Sequence, residues 1–238
     1  MTRKPTFARF SDLTRALVNR DLQVHTSATD GQGTIEELIS LAAARALGEI
    51  AFTEHVRKSS TYFDRFADAV CRARESASVN VWLGIETKAE DDAGTLDVSP
   101  STLARTELVL GSVHRFPIQG GNFRAASEFP YAEAVQREMA LALGLLRHGP
   151  IHVLAHPGGM CQRAFGQFPA ECFEELMRAS LAREIPIEIN TAYTQDLYGF
   201  LALCRKINPF VSIGSDVHRP EELGTCRDAL WARGIGCA

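Results

Sequence analysis

Asp21-Leu22-Gln23-Val24-His25-Thr26-Ser27-Ala28-Thr29-Asp30-Gly31 is the stretch from which the rest of the chain can be read. It begins as a short apolar strand and leaves through a loop of small residues toward a helix. Side chains two apart on a strand share a face, so Asp21, Gln23 and His25 are expected to point one way. Asp30 returns from the loop near the strand's end. An imidazole, an amide and two carboxylates therefore gather where one strand stops.

Working outward, the same unit recurs. Thr34-Ile35-Glu36-Glu37 fits a capping box that opens a helix ending at Gly48. Ile50–Thr53 reads as a strand delivering Glu54-His55, and a helix is expected over 62–77. Val81–Ile85 delivers Glu86, and Leu108–Val113 delivers His114. The long loop 115–130, with Gly120 and Gly121, reads equally as a flap or a plain surface loop. A helix over 132–147 precedes Ile151–Ala155, which delivers His156-Pro157-Gly158-Gly159. Helices over 170–183 and 195–206 flank the strand Pro186–Asn190. Phe210–Ser215 then delivers Asp216-Val217-His218, and Pro220 suits the first turn of a closing helix.

Strictly alternating strands and helices imply a parallel sheet. Right-handed crossovers put the C-terminal ends of all strands on one side. Seven such units, spaced roughly thirty residues apart as βαβ units are, predict a single-domain TIM-like (β/α)7 barrel with its reactive groups on that rim. Residues 1–20 read as a polar lead-in with one short helix over 10–18, and 21–238 as the barrel.

Composition narrows the class. The 238 residues carry a net charge of −4, which gives no basic footprint and makes nucleic acid a less favoured partner. No apolar run approaches a membrane span, and the first twenty residues lack the pattern of a signal peptide. Six cysteines without a C-x-x-C pair read as reduced thiols, so the expected location is the cytoplasm. The sequence gives no indication of oligomeric state.

Five of the seven histidines fall at strand ends, and no serine-centred nucleophile motif occurs. Imidazoles mixed with carboxylates suit two or three divalent ions such as zinc, manganese or iron. His152 lies four strand residues below His156, about 13 Å away, and reads as structural. His148 closes a helix, where an imidazolium suits the carbonyl dipoles. Asp21 sits deeper than Gln23 and is expected to orient other groups. Arg57, Arg115, Arg124 and Arg163 lie on loops after strands and could clamp a phosphate. Arg115 is the first choice and Arg163 the second. Asn190 and Tyr193 are candidates to position substrate.

These motifs together resemble the PHP family, named for polymerase and histidinol phosphatase. Asp21–His25, Thr29-Asp30-Gly31, Thr53-Glu54-His55, Gly84-Ile85-Glu86, Gly111–His114, Ala155-His156-Pro157 and Ser215–His218 occur in the family's order from about residue 20 onward. The resemblance implies a distorted (β/α)7 barrel holding up to three metals. It would place Gln23, His25, Glu86 and Asp216 around the first. Glu86 would bridge to a second held by His114 and His156, and Asp30, His55 and His218 would hold a third. Two positions depart from the pattern. Gln23 stands where a histidine is usual, and Glu54 where an aspartate is usual. The Asp-Leu-Gln opening is similar to that of PHP domains attached to bacterial family X DNA polymerases, although no polymerase portion is present.

The function implied is hydrolysis of a small phosphomonoester by a hydroxide bridging two metals. The third metal and an arginine, Arg115 by preference, would hold the phosphoryl oxygens, while Asp216 or His218 passes a proton to the leaving oxygen. Three other readings remain open at this stage. They are a 3′–5′ exonuclease or nucleotide phosphodiesterase, a metal-dependent hydrolase of C–N or carboxylic ester bonds, and a non-catalytic barrel.

Overall fold

In the computed structural model, which describes residues 4–237, the repeat resolves into a distorted (β/α)7 barrel. Met1–Arg3 and Ala238, the outer ends of the two expected segments, lie outside the described residues. The seven parallel strands are β2 (Arg20–Val24), β3 (Glu49–His55), β4 (Asn80–Lys88), β5 (Leu108–Ser112), β8 (Val153–Leu154), β9 (Ile187–Asn190) and β10 (Phe210–Gly214). The sheet order is β1-β10-β9-β8-β5-β4-β3-β2, where β1 (Ala8–Arg9) pairs antiparallel with β10. Beyond the last strand, Val217 forms a parallel bridge to Val24. His25 N donates to Val217 O (2.9 Å) and Val217 N to Gln23 O (3.1 Å), which brings the first and last units of the rim together.

The helices follow the sequence punctuation. α2 (Ile35–Ala44) opens on the reciprocal Thr34–Glu37 capping box and buries Ile35, Leu38, Ile39 and Ala42. α3 (Phe63–Arg74), α5 (Tyr131–His148), α7 (Ala170–Arg183), α8 (Leu197–Ile207) and α9 (Thr225–Trp231) alternate with the later strands. No described helix is long and apolar enough to cross a membrane. The expected helix over 10–18 is instead a 3-10 turn at Phe10–Asp12 followed by α1 (Arg15–Val18). Thr14 breaks the segment by capping α1, accepting from Leu17 N.

Besides β1, four pieces go beyond the sequence pattern. α4 (Pro100–Arg105) starts on a Ser99 cap with proline at its first position, a signal present in the sequence but lost in an acidic loop. β6 (Phe116–Pro117) and β7 (Phe123–Arg124) form a small hairpin within the long loop. α6 (Gly159–Phe165) follows His156-Pro157 directly, with Gly158 in the left-handed region at φ 71° and against the Phe168 ring, where a side chain would clash.

On β4, Trp82 and Glu86 are four apart and share a face. Trp82 belongs to an apolar cluster with Leu22, Ala51, Leu108, Leu110, Val153 and Ala155 that fills the barrel below the rim. The register of β2 on β3 slips between Asp21 and Val24. Such a bulge re-aims side chains, so the simple alternation expected of Asp21, Gln23 and His25 fails. Leu22 joins the interior cluster, and Asp21 accepts from Ser215 N (2.9 Å) and Gly224 N (2.8 Å), ahead of α9.

Candidate metal centre

Glu86, only 1% exposed, is the hub of the rim. Its two oxygens meet four imidazoles from four different strand ends. His156 Nε2 is at 2.7 Å, His114 Nε2 at 2.9 Å, His55 Nδ1 at 3.1 Å and His25 Nε2 at 3.4 Å. Asp216 Oδ1 stands 3.1 Å from His25 Nε2. On the other side Asp30 Oδ2 lies 3.3 Å from His55 Nε2 and 3.4 Å from His218 Nε2. Three donor groups result: His25–Glu86–Asp216, His55–Glu86–His114, and His25–Asp30–His55–His218.

Donors of one tetrahedral zinc, each at about 2.1 Å, stand roughly 3.4 Å apart; the separations here run from 2.7 Å up to that value. His25 supplies a second test. It is fully buried, and neither ring nitrogen has a hydrogen-bond partner. Two orphaned nitrogens on a buried imidazole are costly, and ions at the donor groups would satisfy them. The residues present therefore fit divalent ions. His218 fits as well: its Nδ1 donates to Asp216 O (2.9 Å), which turns Nε2 toward Asp30, 3.4 Å away.

Charges within the cluster hold one another. Burial works against ionised Glu86, but the His114 charge and the bonds from His114, His156 and His55 outweigh it and keep the carboxyl well below its usual range. Burial likewise opposes charge on His55 and His156, yet bonding to Glu86 raises each to about 9. Asp216 and Asp30 are lowered despite burial, Asp216 chiefly by His25 and Asp30 chiefly by His55. Burial lowers His114. Protons held on His55 and His156 thus balance Glu86 where ions would otherwise do so.

The backbone around the donors is fixed by buried carboxyls. Glu54 accepts from Thr26 N (2.7 Å), from the Thr26 hydroxyl (2.5 Å) and from Thr29, and so ties down the loop that carries Asp30. Asp21 does the same for the turn carrying Asp216, a residue at φ 52°. Glu188, on β9, accepts from His156 N (2.8 Å), where φ is 24°. Glu138 on α5 accepts from Met160 N (3.0 Å) and Cys161 N (2.8 Å), filling the open N–H groups of α6. The two histidines read as structural stand away from the rim: His148 ends α5, and His152 Nδ1 accepts from Val109 N (3.0 Å).

Residues 21–192 match the PHP domain family. The chain belongs to that family. It is 26% identical over 235 residues to a protein of Syntrophotalea carbinolica called "Probable phosphatase", an alignment covering 90% of this chain and 88% of that one. A "Probable phosphatase" of Caldicellulosiruptor bescii is 23% identical over 208 residues, covering 85% and 80%. A solved structure from Listeria monocytogenes, described as a candidate histidinol phosphatase, superposes with a TM-score of 0.71 at 17% identity. It covers 88% of this chain and 99% of that one.

Among the residues expected from PHP motifs, His25, Asp30, His55, Glu86, His114, His156, Asp216 and His218 come together. Gln23 contacts Asn190 and Glu188 on β9. Its Oε1 accepts from Asn190 Nδ2 (2.9 Å) and abuts both carboxyl oxygens of Glu188, at 2.7 and 2.9 Å. Turning the amide over would set its NH2 against the Asn190 NH2, whose own orientation is fixed by Ala192 N donating to Asn190 Oδ1 (2.9 Å). A proton on Glu188 Oε1, donated to Gln23 Oε1, would turn the closest of these contacts into a hydrogen bond and keep the one from Asn190 Nδ2. Burial pushes Glu188 up to about 8, which agrees. Asn190 is likewise fully buried in this network and does not line the cavity, contrary to the substrate-positioning role expected for it. Sequence reading missed Glu188, although its place two residues before Asn190 puts both on one strand face.

A cavity of about 580 Å3 opens over the donors, walled further by Met160, Arg163, Ala192, Tyr193, Gln195 and Glu222. Tyr193 stacks on His156, with centroids 4.5 Å apart, and Arg163 Nη1 reaches its hydroxyl at 3.4 Å. Arg57 and Arg115 line an adjoining cavity instead. Arg124 pairs with Glu128 outside both.

Proposed function

We propose that this PHP-family chain hydrolyses small phosphomonoesters with two or three divalent ions. The carrying observation is Glu86, whose two oxygens contact four imidazoles beneath a cavity with an arginine on its wall. Close relatives in length being called phosphatases supports the same reading. Ions held by the three donor groups would polarise the phosphoryl oxygens and activate water for in-line attack.

The chain's own residues do the rest. Arg163 offers a planar fork to the non-bridging oxygens, where negative charge must be held as the P–O bond to the leaving group breaks. Arg163 takes precedence over Arg115 because it lines the main cavity. His218 Nδ1 is engaged with Asp216 O (2.9 Å), and we assign Asp216 to pass the water's proton to the departing oxygen. Tyr193 covers the His156 ring and shields that donor from bulk water.

Chelation is expected to abolish phosphate release, and manganese or zinc to restore it. A fully chelated protein that still releases phosphate at the original rate removes the proposal.

A further inference from the structure

The donor cluster is open on two sides. Besides the cavity described above, a second one of about 470 Å3 shares Asp30, His55, Glu86 and His114 with it. Apart from those donors, the two walls differ in charge. The first carries one cation and one anion, Arg163 and Glu222. The second consists of Val56, Arg57, Lys88, Arg115 and Phe123, which is three cations and no anion.

These cations come from three different strand exits: Arg57 follows β3, Lys88 ends β4, and Arg115 follows His114 beyond β5. Lys88 is held in place, its Nζ 3.6 Å from the Phe123 ring centre and 3.5 Å from Asp97. Arg57 and Arg115 are exposed and enter no ion pair among the described residues. Lys88 has Asp97 beside it, while Arg57 and Arg115 have no anion within ion-pair distance among the described residues, and the three like charges repel one another. An anion lying among them would relieve that repulsion. A phosphoryl group at the donor groups would fill the first cavity, which leaves the second for a different anion.

On the phosphoesterase reading given above, we infer that the second cavity binds a second oxyanion of the substrate, so that the preferred substrate is a small molecule with a phosphomonoester and another phosphate or carboxylate. Guanidinium forks match both groups bidentately. With the scissile phosphate at the donor groups, the remaining anion would point toward Arg57, Lys88 and Arg115. Hydrolysis itself is unchanged: water's oxygen forms the new P–O bond, the ester P–O bond breaks, and the proton leaves with the alcohol.

The test compares matched pairs on the metal-loaded protein: fructose 1,6-bisphosphate against fructose 6-phosphate, and 3-phosphoglycerate against glycerol 3-phosphate. The expected result is a preference in kcat/KM of at least about tenfold for the member with two anionic groups in one or both pairs, on the scale of one charge-assisted hydrogen bond. The first pair reads a phosphate as the second group, the second a carboxylate. In the double variant R57Q/R115Q that preference falls toward one, with metal content unchanged by mass spectrometry and folding verified by circular dichroism. Equal use of both members, a preference that survives the double substitution, or a stronger preference for single-stranded DNA overturns the inference. Calorimetric binding of the same pairs reads the second contact without turnover. If no compound releases phosphate, the phosphoesterase reading fails, while the binding ratio still decides the second cavity.

Discussion

The contact between Gln23 and Glu188 makes a prediction with a definite sign. Glu188 is fully buried, and burial raises its carboxyl from the ordinary 4.5 to about 8. In the unfolded chain the same group ionises near its ordinary value. A raised carboxylate contributes stability that is complete below pH 4.5 and is lost as pH rises through about 8. At 1.36 kcal/mol per pH unit, the loss is at most about 5 kcal/mol, a large share of the stability of an ordinary domain. Glu188→Gln removes the titration while keeping the geometry. Its NH2 takes the place of the proton facing Gln23 Oε1, and its oxygen still accepts from His156 N and Asn190 Nδ2.

Urea denaturation of the chelated protein at pH 5.5, 7 and 9 is the assay. At pH 5.5 the wild type has lost only about 1.4 kcal/mol of that contribution, so E188Q is expected to lead by about 0.6 M at most. At pH 9 the variant is the more stable, by up to about 2 M in midpoint for a slope of about 2.5 kcal/mol per molar urea. E188A is destabilised at every pH, because two buried donors lose their acceptor at about 1–3 kcal/mol each. If the pH profiles of E188Q and wild type run parallel, Glu188 is ionised throughout and the Gln23 amide must be turned over.

Ion binding is expected to release protons, because His55 and His156 hold theirs to about pH 9. Affinity for zinc should therefore rise with pH, by at most about a hundredfold per unit below 9 if both protons leave. Calorimetry in buffers of different ionisation enthalpy at pH 8 counts them, and a count of zero refutes the linkage. At the opposite end of the barrel, burial and Lys4 lower His152 to about 4. Its stabilising contribution is present above pH 6.5 and disappears as pH falls toward 4. Since the ring is only half-buried, this amounts to about 1–2 kcal/mol, and H152L should lack that acid limb in a denaturation series. Glu138→Ala strips two N–H groups at the start of α6 of their acceptor, costing about 2–4 kcal/mol. Denaturation of E138A against E138Q, which keeps one acceptor oxygen, measures it.

What the sequence made legible was whatever depends on period and punctuation. Alternating strands and capped helices sufficed for the barrel, and strand-end placement sufficed for Glu86 and the five histidines around it. α7 was expected over 170–183 and occurs there, because nothing tertiary competes with its amphipathic pattern. The failures have a common physical origin. Period-two alternation cannot foresee a bulge, so Asp21 was placed on the wrong face. Short pieces such as β1, β6 and β7 are held by partners distant in sequence, and they carry no period of their own.

Gln23 shows the remaining limit most clearly. Motif order pairs it with His25 as an ion ligand, because the two are neighbours in sequence. In the fold its partners are Glu188 and Asn190, more than 160 residues away. An amide can accept from a carboxylic acid and from a side-chain NH2 at once. An ordinary protonated or metal-bound histidine nitrogen offers no acceptor in that place. The glutamine is therefore matched to the neutral Glu188 beside it, and Gly214 leaves room for that carboxyl where any side chain would collide with it. Read this way, the departure at position 23 belongs to the wall that holds His156 in its left-handed conformation. The imidazoles and carboxylates around Glu86 contact one another directly, while the hydrogen bonds of Gln23 run to Asn190 and Glu188.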